Sequence, residues 1–185
     1  FGGLRFYDRK EIKDIVAYLR VLVNSKDDVS LRRIINVPKR SIGDSTVQEL
    51  VNYARENEMP LFSTLSSLPP SLGSRPRRCV TDFMVMMTLL GAMKDTMPIS
   101  DFMDLLLEKT GLLAQYKGDR SEEAQSRVEN IQEFLGAVAE YAALNENASI
   151  EDFLDLYKKN RFFLVQESAE IDETKDEAYY RYYRK

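Results

Sequence analysis

The segment NVPKRSIGDST, from Asn36 to Thr46, concentrates residue types that could bind an anion. Lys39 and Arg40 supply local positive charge, and Gly43 allows the main chain to approach a bound group closely. A helix predicted to start just after this glycine would add free backbone N–H groups at its N-terminus. Together these features favour contact with the phosphates of a nucleic-acid backbone, and such contact does not depend on base sequence.

Two helices are predicted to flank this segment. A short helix over residues 29–35 should end before Pro38, and Ser45 with Gln48 three residues later forms a capping box that opens the next helix. A helix, a tight glycine-containing turn and a second helix start are typical of a helix-hairpin-helix element. The alternative interpretation is a simple turn between helices whose basic edge lies in solvent.

Three further arginines lie close together in the middle of the chain. Arg75, Arg77 and Arg78 fall within residues 65–78, a stretch rich in Ser, Pro, Gly and Arg. This composition predicts a surface loop that connects two packed halves of the chain. The arginines are secondary candidates for phosphate contact, although a proline-rich basic loop is more often only solvated surface.

The residue types present exclude most catalytic and metal-dependent chemistry. The sequence has no histidine and one cysteine, Cys79, so the usual zinc sites, histidine acid/base catalysis and an intramolecular disulfide are not available. No Gly-x-x-x-x-Gly-Lys-Ser/Thr loop is present to hold a triphosphate, so the chain alone is not expected to hydrolyse ATP or to bind a cofactor. Its carboxylates follow helix surfaces, and no catalytic residue is assigned.

The overall composition is that of a globular domain. The 185 residues are 44% hydrophobic and 30% charged, and the net charge is −4. Because this charge argues against a broad basic surface, any nucleic-acid contact should be local. No apolar run approaches the ~20 residues of a membrane span, and the cysteine usage indicates a reducing, cytoplasmic compartment. The sequence starts at Phe1 without a signal pattern, which indicates a piece of a longer protein.

Apolar residues recur at spacings of three and four along most of the chain. This periodicity predicts an all-α fold of about seven to nine mainly antiparallel helices. Residues 80–93 are apolar almost all round and are expected to form a central buried helix. Residues 2–6 are expected to be extended, and residues 162–165 could form a strand, giving a small two-stranded element where the chain ends meet. The other predicted helices span about residues 8–23, 100–111, 121–144 and 149–159.

Three stretches resemble one known family. GGLRFYDRKEIKDIVAYLRVLVNSKDDVSLRRIINVPKRSIGDSTV, residues 2–47, resembles the start of the 2B insertion of UvrD/PcrA-type superfamily 1 DNA helicases. EEAQSRVENIQEF, residues 122–134, also resembles this family, and SAEIDETKDEA resembles the acidic linker by which its chain returns to the motor. Residues 1–160 would be the 2B subdomain, and 161–185 the return linker with a Tyr-rich tail that departs from the family.

The resemblance implies a function. The parent would be an ATP-dependent helicase, holding ATP and Mg outside this fragment, that moves 3′ to 5′ and unwinds DNA in repair or replication. The 2B subdomain would be a regulatory body that rotates against the motor and has no catalytic activity of its own. Implied partners are the backbone of duplex DNA near a single-strand/double-strand junction, the motor domains of the same parent chain, and a repair or replication protein, but no membrane.

The same resemblance points to particular residues. The family hairpin carries Gly-Ile-Gly where this chain has Ser-Ile-Gly, so one glycine is replaced and the second is kept. The residues implied to touch the duplex backbone are Lys39, Arg40, Ser41, Ile42, Gly43 and Thr46. The alternative function is a protein-interaction module that docks a repair or replication partner, with the basic hairpin incidental.

Overall fold

A computed structural model describes the backbone of residues 3–159 and the side chains of residues 6–158. Within these residues there are ten α-helices and no strand, which confirms the all-α prediction. The strand predicted at 162–165 and the return linker lie outside the described residues. The helices are α1 (Gly3–Asp8), α2 (Lys10–Val23), α3 (Asp28–Ile34), α4 (Asp44–Glu56), α5 (Leu61–Thr64), α6 (Ser74–Met93), α7 (Ile99–Thr110), α8 (Ala114–Lys117), α9 (Glu122–Leu144) and α10 (Ile150–Lys159).

The first described segment is helical, so the expectation of an extended segment over residues 2–6 is wrong where the structure covers it. Helix α1 places Phe6 and Tyr7 in the core, with their ring centroids 5.0 Å apart edge to face. The Tyr7 ring also lies 4.9 Å from the ring of Tyr157 on α10. Aromatic burial of this kind outweighs the weak helix preference of Gly3 at the start of α1.

Helix α2 is the centre of the core and contacts α1, α3, α6, α9 and α10. The predicted apolar stripe is buried at Ile12, Ile15 and Leu19, and Tyr18 on the same helix is fully buried. Each such side chain contributes roughly 1.5–3 kcal/mol by leaving water. The position of α2 therefore determines where α3, which follows it in the chain and packs against it, can lie.

Helix α6 differs from its prediction in two ways. It begins at Ser74, so residues 74–78 are helical and the predicted loop ends at Gly73. Proline is tolerated in a first helical turn because N–H groups there lack intrahelical partners, and Pro76 occupies such a position. The helix is also not buried all round, since Val85 is 64% exposed and Leu89 is 43% exposed. One face packs on the core and the other lies in solvent.

The helices after α6 follow the sequence signals closely. Helix α7 ends just before Gly111, which adopts the left-handed conformation with φ of 76° that favours glycine at a helix C-terminus. At the start of α9 the Ser121 side chain accepts a hydrogen bond from the Ala124 N–H at 3.1 Å. Over residues 3–159, no helix has the length and apolar character that crossing a bilayer requires.

Candidate nucleic-acid interface

The segment predicted to bind an anion covers most of the connection between α3 and α4 and the first residues of α4. Residues 36–43 of this connection are here named the α3–α4 loop. Asn36 organises it from within. Its Oδ1 accepts hydrogen bonds from the backbone N–H groups of Arg40, at 2.7 Å, and Ile42, at 3.2 Å. One side-chain amide thus connects the start of the loop to the main chain on both sides of Ser41. The Val37–Pro38 peptide bond is cis.

The guanidinium of Arg40 points into the protein rather than outward. Its Nη1 donates to the carbonyl oxygens of Ile34, Val37 and Pro38 at 3.2, 2.8 and 3.2 Å. Its Nη2 donates to the carbonyl oxygen of Thr110 at 3.1 Å. The sequence interpretation assigned this side chain to DNA, but the structure engages it with main-chain carbonyls of α3, the loop and α7.

The guanidinium of this arginine packs against two aromatic rings. The Cζ atom of Arg40 lies 5.4 Å from the Phe83 ring centroid and 5.8 Å from that of Tyr18. The Tyr18 hydroxyl donates to the carbonyl oxygen of Val37. Burial raises the pKa of the Tyr18 hydroxyl to about 12, and the neighbouring Arg40 guanidinium lowers it in part. The hydroxyl therefore remains a hydrogen-bond donor at neutral pH.

The remaining predicted residues divide into inward and outward sets. Ile42 is 1% exposed and Thr46 is 7% exposed, so these two side chains pack against the protein. Lys39, Ser41 and Gly43 are exposed. Of the predicted contact residues, only the outward set presents side chains or Cα atoms to an external ligand, whereas position 46 can contribute only its backbone.

Position 41 carries an unusual backbone conformation for its residue type. Ser41 has φ of 59°, in the left-handed region that costs a non-glycine residue about 1–2 kcal/mol. The hydrogen bonds from the N–H groups on either side of it to Asn36 hold this conformation in place. The glycine implied at this position by the family resemblance would adopt it without strain.

The start of α4 offers unpaired backbone donors. Gly43 is the N-cap residue, and no side chain in the described part of the chain caps the helix there. The first N–H groups of a helix have no intrahelical partner, so those at the start of α4 can donate to an external group. Asp44, also exposed, brings a negative charge to the same turn. The site is thus only locally and weakly electropositive.

The secondary arginines lie in the first turns of α6 rather than in a loop. Arg77 is turned back, and its Nη2 donates to the carbonyl oxygens of Pro69, at 2.8 Å, and Leu72, at 3.3 Å. Arg75 and Arg78 are exposed. Only the latter two keep side chains available for an anion, while Arg77 holds the preceding segment against the helix.

Asn36 and Tyr18 are not among the residues predicted from the sequence to act at this site. An Asn at the start of a turn commonly accepts hydrogen bonds from N–H groups a few residues later, and that signal was available in the sequence. Tyr18 lies within the apolar stripe of α2, where it is indistinguishable from an ordinary core aromatic. In residues 3–159, no cluster of three or more His, Cys, Asp or Glu side chains is placed to hold a metal ion.

Comparison with known proteins establishes the family. The family described as UvrD-like helicase C-terminal domain matches residues 1–177, so the chain belongs to this family. An ATP-dependent DNA helicase PcrA of Bacillus subtilis (strain 168) is 34% identical over 96% of this chain and 23% of its own length. The PcrA helicase of Staphylococcus epidermidis (strain ATCC 12228 / FDA PCI 1200) is 40% identical over 82% of this chain, and that of Staphylococcus aureus (strain COL) is 38% identical over 82%. The chain spans 20–23% of the length of these relatives.

Proposed function

We propose that this chain is the 2B subdomain of an ATP-dependent 3′-to-5′ DNA helicase that acts in repair or replication. Its α3–α4 loop and the N-terminus of α4 contact the backbone of duplex DNA near a single-strand/double-strand junction. ATP and Mg bind in the motor domains of the parent protein, and the subdomain regulates unwinding without chemistry of its own. Family membership and the outward-facing part of the loop support this role.

The glycine at position 43 is the observation that carries the proposal. Its φ of −76° is open to any residue, and a Cβ added there would meet nothing within 4 Å. Backbone strain and packing inside the described protein do not require glycine at this exposed position, although glycine is a better N-cap than alanine. A phosphate held close to the main chain would favour glycine further, because a side chain would occupy that space.

The charge around the loop supports a local and sequence-independent contact. Lys39 is exposed, while the protein as a whole carries a net charge of −4. Phosphate contact by so few cations should be weak and should decline steeply as salt is raised. Such contact positions a duplex without selecting its sequence.

The first test is binding of the full 185-residue chain to a labelled DNA duplex over a salt series. Wild type should bind with salt-dependent affinity, and Lys39→Ala should weaken binding and lower the slope of log affinity against log salt by about 0.9. Lys26→Ala removes the same charge at the opposite end of α3 and is the matched control, with wild-type binding expected. Salt-insensitive binding, or equal binding by both variants, would contradict the proposal.

The alternative of a protein-interaction module has one supporting observation. Val85 and Leu89, four residues apart on α6, expose 64% and 43% of their surface and form a small apolar face. A partner docked there would bind mainly through apolar burial and would respond little to salt. Val85→Ser with Leu89→Ser would remove binding to a repair or replication protein while leaving duplex binding unchanged.

A further inference from the structure

We propose that Arg40 and Asn36 are positioning residues, which hold the α3–α4 loop in the conformation that meets the duplex and do not themselves contact phosphate. This inference rests on the proposed duplex-binding function of the loop. It departs from the expectation that both basic residues of the loop bind DNA, because the structure gives them opposite orientations. Lys39 is exposed, whereas the Arg40 guanidinium is directed at carbonyl oxygens inside the fold.

The carbonyls that Arg40 engages explain why it is held inward. Ile34 and Thr110 are the last residues of α3 and α7, and the final carbonyls of a helix have no intrahelical partners. A cation at this place also meets the negative ends of both helix dipoles. Turning Arg40 out to a phosphate would remove these hydrogen bonds and the contacts with two aromatic rings. Its fork of N–H donors instead joins the ends of α3 and α7 to the α3–α4 loop.

Asn36 holds the main chain of the loop around Ser41. The N–H groups that it accepts belong to the residues immediately before and after Ser41, at 2.7 and 3.2 Å. Ser41 is thereby held with φ of 59°, a conformation that a serine in an unconstrained loop would seldom adopt. Removal of either anchor should release the loop into a mixture of conformations, only some of which present Lys39 and the α4 N-terminus together.

The two roles have different salt signatures. A positioning residue changes the fraction of molecules whose loop is competent to bind, and the apparent affinity falls by that fraction. This factor does not depend on salt, so plots of log affinity against log salt remain parallel. A residue that neutralises a phosphate contributes about 0.9 to the slope, so its removal makes the plots converge at high salt.

The test measures duplex binding by the full chain over a salt series for Arg40→Met, Arg40→Lys and the matched variant Lys39→Met. Both Arg40 variants should lose about tenfold in affinity at unchanged slope, since lysine keeps the charge but cannot reproduce the fork of hydrogen bonds. Lys39→Met should lower the slope by about 0.9. Asn36→Ala changes no charge and leaves the contacts of Arg40 with the two aromatic rings intact. Its affinity should be lower than that of wild type at every salt concentration, with the same slope. This variant tests the inference if Arg40→Met does not fold.

Amide hydrogen exchange without DNA gives an independent measurement. The N–H groups of Arg40 and Ile42 should exchange faster in Asn36→Ala and Arg40→Lys than in wild type, and unchanged exchange would overturn the inference. Retained affinity in Arg40→Lys together with a reduced slope in Arg40→Met would show that Arg40 contacts phosphate, which overturns the inference alone. Absence of duplex binding by wild type would instead overturn the proposed function, and the positioning role with it.

Discussion

The Arg33 guanidinium on α3 donates from Nε to the Oδ1 of Asp14 on α2 at 2.9 Å, and this carboxylate is only 1% exposed. Lys10 donates to the other carboxylate oxygen, also at 2.9 Å. The pair joins the central helix to the helix that leads into the α3–α4 loop. Burial of a carboxylate costs free energy unless the group is paired, so this contact connects core stability to the placement of the site.

Replacement of Arg33 by leucine should lower the free energy of unfolding by about 1–3 kcal/mol, because a hydrogen bond to a buried charged group is lost. Arg32→Leu is the matched control, since Arg32 is an equally exposed neighbour on the same helix whereas the contact with Asp14 is made by Arg33, and should change stability by less than about 0.5 kcal/mol. Urea unfolding followed by circular dichroism measures both. Equal effects of the two substitutions would show that the Asp14 contact contributes little.

Ser41→Gly should stabilise the protein by up to about 1 kcal/mol. The substitution relieves the strain of a serine in the left-handed region, and the greater flexibility of glycine in the unfolded chain offsets part of that gain. Ser45→Gly, four residues later in the first turn of α4, has no such strain to relieve and should be neutral or destabilising. Thermal unfolding of the two variants compares them directly, and a loss of stability in Ser41→Gly would contradict the strain interpretation.

The helices were predictable where local signals and the apolar period agree. The predicted helices over about residues 100–111 and 121–144 agree with α7 and α9 to within one residue at each end. The start of α6 was not predictable in this way. Its first residues are Ser, Arg and Pro, which favour a loop by composition, yet proline is equally compatible with a first helical turn, so composition does not separate the two structures.

The orientation of the site side chains could not be obtained from sequence. Lys39 and Arg40 are adjacent and similarly charged, yet one is exposed and the other is engaged inside the fold. What separates them is the proximity of Thr110, some 70 residues away along the chain, and of the Phe83 ring on another helix. Periodicity and composition contain no information on such long-range contacts.

The pH dependence of stability should show a contribution from Tyr18 in alkaline solution. Its pKa in the folded protein, about 12, lies above the usual 10.0 because burial disfavours the phenolate. The resulting stabilisation is therefore complete below pH 10 and is lost as the pH rises towards 12, to an extent of about 3 kcal/mol. Urea unfolding at pH 8, 10 and 11 should show this loss in wild type and a shallower decline in Tyr18→Phe.

Parallel declines of the free energy of unfolding in wild type and Tyr18→Phe would contradict the assignment of this pH dependence to Tyr18. Tyr53→Phe on α4 controls for removal of a hydroxyl from a half-buried tyrosine.

Gly43→Ala tests whether the main chain at the start of α4 approaches a phosphate. The added methyl group meets nothing within the described protein, and alanine is a poorer N-cap than glycine, so stability should fall by less than about 1 kcal/mol. Affinity for duplex DNA should fall by about tenfold, because the methyl group occupies the space next to the free N–H groups. Gly136→Ala is the control: it also has open space but lies within α9, where alanine should raise stability by about 0.5–1 kcal/mol and leave duplex affinity unchanged. If Gly43→Ala binds duplex as tightly as wild type, a close approach of phosphate to the main chain at this position is excluded, and the proposed function loses the observation that carries it.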